Sequence, residues 1–371
     1  MKEVLDKSKV DLLSILTAKE RSKKKTESLI LKNTDSNVSL LHFIRKHINL
    51  YSSKNHIIST ATQFNIEKLK GVKYSSITNI KKINDVRYIN KFFRTINSIL
   101  PDSGLYFGSV ETYPNRRKVI LDKYPPILNY IIYVLDFIFK RIFPKLKITK
   151  KLYFYLTKGK GRVISRAETF GRLYFSGFEV IDEITINNSL YFIAKKTKEP
   201  IYDYQPSYGF IIKLRRIGFG GKTFNVFKLR TMHPYSEYLQ EYVYKKNNLQ
   251  QGGKIKNDFR VSPEGRIFRK IWLDEIPMLY NVIKGDMKLV GVRPLSTHYF
   301  NLYNEELQFK RIKTKPGLIP PFYADMPSTL EEIMASEMRY LKSYENSPVA
   351  TDFRYFLKAM FNILIKRKRS N

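Results

Sequence analysis

Two adjacent carboxylates, Asp274 and Glu275, are the residues of this sequence whose types and placement best suit chemistry. They interrupt a run of apolar residues that recur at near-helical spacing until Gly285: Ile267, Ile271, Leu273, Ile276, Leu279, Tyr280 and Ile283. That spacing predicts a helix. Pro277 lacks an amide hydrogen, so it must stand in a first turn or kink the helix. A kink would aim both carboxylates at one spot.

Basic side chains of the kind that binds phosphate oxygens accompany this pair in the sequence. They are Lys228, Arg230, Arg260, Arg269, Arg293 and Arg311. Arginine holds phosphate with two parallel hydrogen bonds, and a carboxylate among fixed cations is expected to stay ionised and able to attack phosphorus. Acid pairs on helices are common, so the accompanying cations are what points to phosphoryl chemistry.

Composition narrows the classes of protein that remain. There is no cysteine, which excludes disulfide frameworks, thiolate zinc sites and cysteine nucleophiles, and none of the five histidines pair at metal-ligand spacing. The formal net charge of +34 predicts an anionic partner, either nucleic acid or an anionic membrane surface, although many lysines could simply be solvated. The basic residues form no recognition helix or stacking motif, so no nucleic acid is expected.

The N-terminal half is expected to be α/β. Residues 1–55 are a charged segment, and residues 56–198 alternate between predicted strands and helices. These elements are a strand at His56–Ala61, a helix at Val86–Leu100, a strand at Leu105–Val110, a helix at Arg166–Phe175, and a strand pair at Phe178–Ile181 and Leu190–Ala194.

The order of these elements over Asn84–Lys196 resembles the second half of a class I methyltransferase-like Rossmann domain. Gly71 is the only glycine before Gly104, so the glycine-rich turn that lets a cofactor approach the backbone is missing. We therefore expect a degenerate Rossmann-like domain without cofactor.

Two apolar and basic segments predict contact with a membrane surface. Within residues 124–156, the apolar stretch Ile127–Phe139 is shorter than the ~20 residues of a spanning helix and is followed by basic residues. It is interpreted either as a segment lying in one leaflet or as a buried core helix. Met1–Ser28 shows no secretory pattern, so monotopic or peripheral association is expected.

The C-terminal end repeats this pattern of apolar and basic residues. Six apolar residues form one stripe of a predicted helix: Phe353, Phe356, Leu357, Met360, Phe361 and Leu364. The basic run Lys366–Arg369 follows. This arrangement favours a membrane-interface helix over a core-packing helix.

Between these segments, alternating apolar residues across Gly218–Gly221 predict a hairpin within Ser207–Met232. The motifs "GFGGKTFNVFKLRTM", "WLDEIP", "NVIKGDMKLVGVRP" and "KRIKTKPGL" resemble the bacterial sugar transferase family, the monotopic polyprenyl-phosphate phosphoglycosyltransferases. The resemblance covers about Gln205–Lys366. It implies an α+β, mostly helical, membrane-associated catalytic domain at residues 199–371. Its expected reaction moves a sugar 1-phosphate from a UDP-sugar to polyprenyl (undecaprenyl) phosphate at the cytoplasmic face of the bacterial inner membrane, initiating capsule, O-antigen or exopolysaccharide assembly.

The resemblance also implies roles for individual residues. Asp274 matches the nucleophile, which forms a covalent phosphosugar intermediate, and Glu275 matches its partner; the two carboxylates are the expected Mg²⁺ ligands. The remaining matches are expected to bind substrate or phosphate: Lys228 and Arg230 of "KxRTM", Arg293 and Pro294 of "RP", Arg311 before the "PG" loop, and Asp352 of the closing acidic motif. Arg260 and Arg269 join this set as accompanying cations.

The sequence departs from the family pattern at Trp272, Met278 and Val292, where Ser, Gln and Pro are usual. The membrane element of the family normally precedes the catalytic core, whereas Lys195–Tyr204 is polar here. Two other functions remain open at this point: a methyltransferase whose C-terminal half is an accessory, and a catalytically silent scaffold of glycan assembly. The segment Glu331–Leu341 is interpreted as a solvated helix face. The oligomeric state is not predicted.

Overall fold

The computed structural model describes residues 27, 28, 30, 31, 38–202, 209–246 and 258–364. The chain forms two compact units. Unit one contains residues 1–208 and 233–242, and unit two contains residues 209–232 and 243–371. A short segment from the second half of the sequence, residues 233–242, thus belongs to unit one.

Unit one alternates helices and strands along the chain. Its elements are α1 (Val38–Arg45), β1 (Asn55–Ile58), α2 (Gln63–Glu67), β2 (Ser76–Lys82), α3 (Ile89–Ile99), β3 (Leu105–Val110), α4 (Tyr113–Lys123), α5 (Leu128–Phe137), α6 (Lys147–Thr157), α7 (Arg166–Phe175), β4 (Phe178–Ile186) and β5 (Ser189–Lys196). A single π-helical turn, Ile138–Ile142, follows α5. The predicted strand at Leu105–Val110 and helix at Arg166–Phe175 are confirmed with the same bounds.

The strands of unit one make one mixed sheet in the order β1-β2-β3-β5-β4. The first three are parallel, and β5 runs antiparallel to both β3 and β4. The apolar run of β5 is almost entirely buried because this strand lies inside the sheet. Helix α1 covers the sheet with Leu40, Leu41 and Ile44, which pack in one cluster with Phe107. Unit one is thus a mixed α/β unit, and its classification as Rossmann-like stays a prediction.

The segment between α4 and α7 does not form a buried core helix. In α5 only Asn129 is buried, and most of the large apolar side chains of α5 and α6 are exposed. The alternative that placed Ile127–Phe139 in the core is therefore wrong. Within the described ranges, no helix is long and apolar enough to cross a bilayer.

Unit two combines two small sheets with helices. Its elements are β6 (Ile211–Ile217), β7 (Thr223–Leu229), α8 (Gln240–Lys246, which begins in unit one), α9 (Pro263–Lys270), α10 (Met278–Ile283), β8 (Lys288–Val290), α11 (Thr297–Phe300), α12 (Glu305–Ile312), β9 (Gly317–Ile319), α13 (Phe322–Asp325), α14 (Leu330–Asn346) and α15 (Pro348–Leu364). The predicted hairpin is confirmed as the antiparallel pair β6–β7. Its turn contains Gly220 and Gly221 at φ 66° and 73°, a conformation that glycine adopts without strain.

The single helix predicted across Ile267–Ile283 is wrong. Helix α9 ends at Lys270, and a separate 3₁₀ turn, Leu273–Glu275, precedes α10. The break lies at Trp272, which adopts a left-handed backbone conformation (φ 58°, ψ 16°). Pro277 stands at the start of α10, where its missing amide hydrogen costs no hydrogen bond, so the first-turn interpretation of Pro277 is confirmed.

Helices α14 and α15 pack around the parallel pair β8–β9 and form the core of unit two. Glu337 of α14 is buried and paired with Arg311 of α12, so the interpretation of Glu331–Leu341 as a solvated face is wrong at this position. Helix α15 buries Tyr355 and Ala359 and exposes Phe353, Leu357 and Phe361. The other members of the predicted stripe are half-buried where their side chains are described, and the basic run Lys366–Arg369 lies outside the described residues.

Candidate active site

An ion pair joins strand β7 to the 3₁₀ turn that carries the acid pair. Lys228 Nζ donates to Glu275 Oε1 at 2.6 Å. The two side chains are 16% and 19% exposed, so the pair is largely shielded from water. A charge-assisted hydrogen bond of this length is among the stronger polar contacts a protein makes. It holds the Glu275 carboxylate against Lys228, one of the predicted phosphate-binding cations.

The neighbouring carboxylate, Asp274, is half-buried and has an unusual titration. Burial raises the pKa of Asp274, the negative charge of Glu275 raises it further, and Lys228 and Arg269 act in the opposite direction. The sequence predicts that surrounding cations keep this carboxylate ionised, but the structure adds desolvation and a like charge that work against them. Asp274 is therefore a more basic carboxylate than an aspartate on an open surface.

The backbone at Trp272 separates α9 from the turn that carries both carboxylates. A left-handed conformation is uncommon for a bulky side chain and costs free energy. The indole ring lies against the ring of Tyr323 with the ring centres 4.7 Å apart, and Tyr323 is itself buried. This aromatic contact holds the chain reversal that separates α9 from the acid-bearing turn.

Asn281 positions the hairpin against α10 and is a residue that the sequence analysis missed. Its side chain is fully buried, with Nδ2 donating to Asn225 O at 2.8 Å and Oδ1 accepting from Phe227 N at 3.0 Å. These bonds hold β7 beside the helix that follows the acid pair, and so place Lys228 near Glu275. An asparagine on the apolar face of a predicted helix is the signal that could have identified it.

Helix α9 approaches the end of β7 very closely at Gly265. A methyl group added to Gly265 would lie 2.0 Å from Thr231 O, so no larger residue fits there. Ser262 accepts from Gly265 N and caps the helix, while its own amide donates to Thr231 O. Arg269, later in the same helix, donates to Thr231 Oγ1 at 2.9 Å. Arg269 stands five residues before Asp274 in the chain, and its charge opposes the effect of burial on the pKa of that carboxyl.

Two other predicted cations of this region have partners within unit two. Arg260 is buried and forms a fork with Asp258, with Nε–Oδ1 and Nη2–Oδ2 distances of 2.9 and 2.6 Å. Arg230 donates from Nε to Gly209 O at 3.0 Å, at the exit of β7. Lys228, Arg269, Asp274 and Glu275 thus form the central cluster, and Arg260 acts on it through its charge on Arg269.

Arg293, Pro294 and Arg311 lie in a second group. Arg311 is buried against Glu337 and also donates to Arg293 O, so it supports the backbone of the "RP" pair. Pro294 is buried and the Arg293 side chain is exposed. Burial lowers the pKa of Arg216, and the charge of Arg293 lowers it further. Two cations thus lie near each other, an arrangement suited to an anion, and Arg216 was not among the residues chosen from sequence.

Asp352 belongs to a third group at the start of α15. Lys288 Nζ contacts its two carboxylate oxygens at 3.1 and 3.0 Å, and the Tyr340 hydroxyl donates to Oδ1. Lys288 Nζ also lies 3.4 Å from the centre of the Tyr344 ring. Asp352 therefore joins α14, α15 and β8, and a direct role in substrate binding stays a prediction.

The possible metal site consists of Asp274 and Glu275. In the part of the chain that the structure describes, no group of three or more histidine, cysteine or acidic side chains is placed to hold a metal ion. Mg²⁺ does not need such a cage, since it commonly binds through one or two carboxylates together with substrate phosphates and water. The like charge of Glu275 raises the pKa of Asp274, and a divalent cation between two such carboxylates would relieve that repulsion. The donor set therefore fits Mg²⁺.

Several large apolar side chains close to the acid pair in the chain are exposed on unit two. Ile271 and Ile276 flank it in the chain and are mostly exposed, and Ile283 at the end of α10 is 85% exposed. Such a concentration of exposed aliphatic residues is unusual for a surface in contact only with water. The site therefore combines charged groups that suit phosphate with a surrounding surface that suits an apolar molecule.

Comparisons with known proteins show what this region is similar to. Residues 202–366 match the family model described as bacterial sugar transferase. The chain is 29% identical over 161 residues to the galactosyl transferase CpsE of Streptococcus agalactiae, covering 42% of this chain and 34% of that protein. It is 36% identical over 109 residues to the exopolysaccharide production protein ExoY of Sinorhizobium fredii, covering 28% of this chain and 48% of that protein.

A third relative is the undecaprenyl-phosphate galactose phosphotransferase of Salmonella typhimurium, which is 38% identical over 109 residues. That match covers 28% of this chain and 23% of the relative. The chain thus spans less than half the length of each of these three proteins.

Proposed function

We propose that this protein transfers a sugar 1-phosphate from a UDP-sugar to a polyprenyl phosphate through Asp274, because residues 202–366 match the family model described as bacterial sugar transferase. The single observation that supports this most is the shielded Lys228–Glu275 ion pair directly beside a half-buried Asp274 of raised pKa. Glu275 is thereby held directly by a cation, whereas Lys228 and Arg269 act on Asp274 through their charge. This division suits a nucleophile next to a supporting acid.

In the proposed first step, an Asp274 carboxylate oxygen attacks the phosphorus that carries the sugar. A new bond forms between this oxygen and phosphorus, and the bond from phosphorus to the bridging oxygen breaks, releasing UMP with the electron pair. In the second step, a phosphate oxygen of the polyprenyl phosphate attacks the same phosphorus. The acyl phosphate bond breaks, the Asp274 carboxylate is restored, and a polyprenyl diphosphate sugar is released.

The residues of the chain supply the charge that this exchange needs. Lys228 and Arg269 act electrostatically on Asp274, and we assign them to the phosphate oxygens as negative charge shifts to the leaving UMP. Asp274 and Glu275 would hold Mg²⁺, which supplies neutralisation of the diphosphate when bound. Arg216 and Arg293 form a second cationic position for an anionic part of either substrate.

The acceptor is a lipid, and the exposed aliphatic residues Ile271, Ile276 and Ile283 suit its environment. We infer that unit two works at a membrane surface, on the cytoplasmic face where UDP-sugars are available. Transfer of a phosphosugar to the lipid would begin assembly of a surface polysaccharide. The names of two relatives support this setting, since one is an exopolysaccharide production protein and the other an undecaprenyl-phosphate galactose phosphotransferase.

For unit one, we infer a degenerate Rossmann-like domain that binds no cofactor. The support is the set of three parallel strands followed by an antiparallel hairpin, in which β5 is inserted between β3 and β4. The lack of a glycine-rich turn after β1 supports the degenerate form. Binding of S-adenosylmethionine to the full chain would contradict this inference.

The test is release of UMP from a panel of UDP-sugars by the full chain, with undecaprenyl phosphate and Mg²⁺ present. Asp274→Asn should abolish release, whereas Glu306→Gln, an acid-to-amide change at an exposed position of α12, should leave it unchanged. Release that needs Asp274, Mg²⁺ and one particular sugar supports the reaction and identifies the donor. Full release by Asp274→Asn would contradict the assignment of the nucleophile.

A further inference from the structure

Helices α5 and α6 of unit one each turn a face of large apolar side chains to the outside. In α6, Ile148, Leu152, Tyr155 and Leu156 fall at i, i+4, i+7 and i+8, which is one face of a helix, and all four are exposed. Ile148 is 91% exposed, whereas Tyr153 on the opposite face is fully buried. A surface helix in water normally turns polar side chains outward and keeps its apolar face against the protein.

Helix α5 also turns an apolar face outward. Leu128, Ile131 and Leu135 lie on one face and are exposed. The inner side is held by polar contacts: Asp136 forms an ion pair with Arg116 of α4, at 2.7 Å from Nη2 to Oδ1. These contacts fix the helix with its apolar face turned outward.

Two further polar residues anchor this region to unit one. Asn129 Nδ2 donates to Leu121 O at 3.1 Å, and the buried Arg141 pairs with His233 Nδ1 at 2.9 Å. Both side chains point to the protein interior and are buried there. The orientation is therefore specified by several independent contacts.

Basic residues predominate from the end of α5 onward. Residues 137–160 contain eight lysines and arginines and no aspartate or glutamate. Lys150 and Lys151 are exposed within α6, and Lys158 and Lys160 are exposed directly after it. An exposed apolar face bordered by lysines is complementary to the surface of an anionic bilayer, where aliphatic groups enter the acyl boundary and ammonium groups meet the headgroups.

We propose that the outer face of α5 and α6, called here the hairpin face (Ile127–Leu135 and Ile148–Leu156), docks on an anionic lipid surface. The inference rests on the proposed function, because a polyprenyl phosphate acceptor resides in a bilayer. A second copy of the chain is the less suitable occupant, since a two-fold interface would bring the two sets of cations together. Docking gives unit one a lipid contact of its own, outside the region that matches the sugar transferase family.

The first experiment measures binding of the full chain to vesicles of phosphatidylglycerol and phosphatidylcholine and to vesicles of phosphatidylcholine alone. Ile148→Ser with Leu152→Ser should weaken binding to the anionic vesicles by about tenfold or more, because interfacial binding scales with the apolar area inserted. The matched control, Phe64→Ser with Val72→Ser, removes two exposed apolar residues elsewhere in unit one and should change binding less than about twofold. Equal losses in the two variants would overturn the proposal.

Charge is tested in the same assay. Lys150→Glu with Lys151→Glu should weaken binding to anionic vesicles and reduce its dependence on salt, whereas Lys70→Glu with Lys73→Glu should change both less. A change in oligomeric state on altering the hairpin face, with vesicle binding unaffected, would overturn the proposal in favour of a second copy. So would vesicle binding that is indifferent to lipid charge.

A label provides a readout that does not depend on a damaging substitution. The chain has no cysteine, so Ile148→Cys carries a single environment-sensitive fluorophore, with Val72→Cys as the control. Anionic vesicles should shift the emission of the label at position 148 to the blue and leave that at position 72 unchanged. An unchanged emission at position 148 while UMP is released would reject docking through the hairpin face and leave the proposed function standing. A blue shift without UMP release from any donor would support docking and contradict the proposed function.

Discussion

Replacing Lys228 by methionine removes the cation that holds Glu275 while keeping the length of the side chain. In the wild type the two groups are 2.6 Å apart and their side chains are 16% and 19% exposed. Loss of a hydrogen bond between charged groups in such surroundings lowers the free energy of unfolding by ~1.5–3 kcal/mol. Most of this cost is a carboxylate left without its partner, so Lys228→Met with Glu275→Gln should recover at least ~1 kcal/mol of it.

The chain has a single tryptophan, Trp272, and it lies two residues before Asp274. Its fluorescence during urea unfolding therefore reports on unit two, and a double-mutant cycle of the four proteins gives the coupling free energy. If the two single changes simply add in the double variant, Lys228 and Glu275 do not interact as described.

The same variants move the pH dependence of UMP release in opposite directions. Transfer needs an ionised Asp274, so activity is lost as the pH falls through its pKa. Lys228 lowers that pKa and Glu275 raises it. Lys228→Met should therefore shift the acidic loss of activity to higher pH, and Glu275→Gln should shift it to lower pH. Shifts in the same direction would refute the electrostatic account of the pair.

Three further changes test the support of the site. Asn281→Leu should lower the free energy of unfolding by ~1–3 kcal/mol, because two backbone groups of β7 lose their hydrogen-bond partner, and a urea titration measures this. Gly265→Ala should lower it by at least ~2 kcal/mol and also reduce UMP release, since the added methyl group meets Thr231 O at 2.0 Å; wild-type values in both assays would contradict the close approach. Glu337→Gln should cost ~3 kcal/mol, because it leaves the buried Arg311 without its counter-charge, whereas Glu331→Gln, at an exposed position of the same helix, should leave the free energy of unfolding nearly unchanged in the same titration.

The sequence predicts elements well where a strong periodic pattern is bounded by turn residues. Strand β3 and helix α7 have the predicted bounds, and the β6–β7 hairpin forms across its glycine turn. The prediction of one continuous helix at the acid pair was wrong, because the apolar spacing of Ile267–Ile283 continues across Trp272. Helix propensity gives no sign that Trp272 will adopt a left-handed backbone conformation and end the helix. The contact that stabilises this reversal is with Tyr323, about fifty residues away in sequence, and such tertiary contacts leave no local signal.

The central cations of the site could be identified from sequence by type and motif, but not by their partners. Lys228 and Arg269 lie by the acid pair as expected. Arg311 instead pairs with Glu337, and Asp352 pairs with Lys288, so both join structural elements. Burial of a charged pair depends on which helices meet, which the pattern within one helix does not contain. Asn281 could not be identified from sequence for the same reason, since its side-chain amide donates to a strand more than fifty residues earlier in the chain.

The central claim is that Asp274 carries the sugar phosphate during transfer, and the most direct measurement is the mass of the intact protein after brief exposure to the donor without acceptor. The account predicts an added mass equal to one phosphosugar, located by proteolysis to the peptide containing Asp274, removed by hydroxylamine and absent in Asp274→Asn. Retention of the same adduct in Asp274→Asn, or UMP release by the wild type with no covalent adduct under any quench, would contradict it.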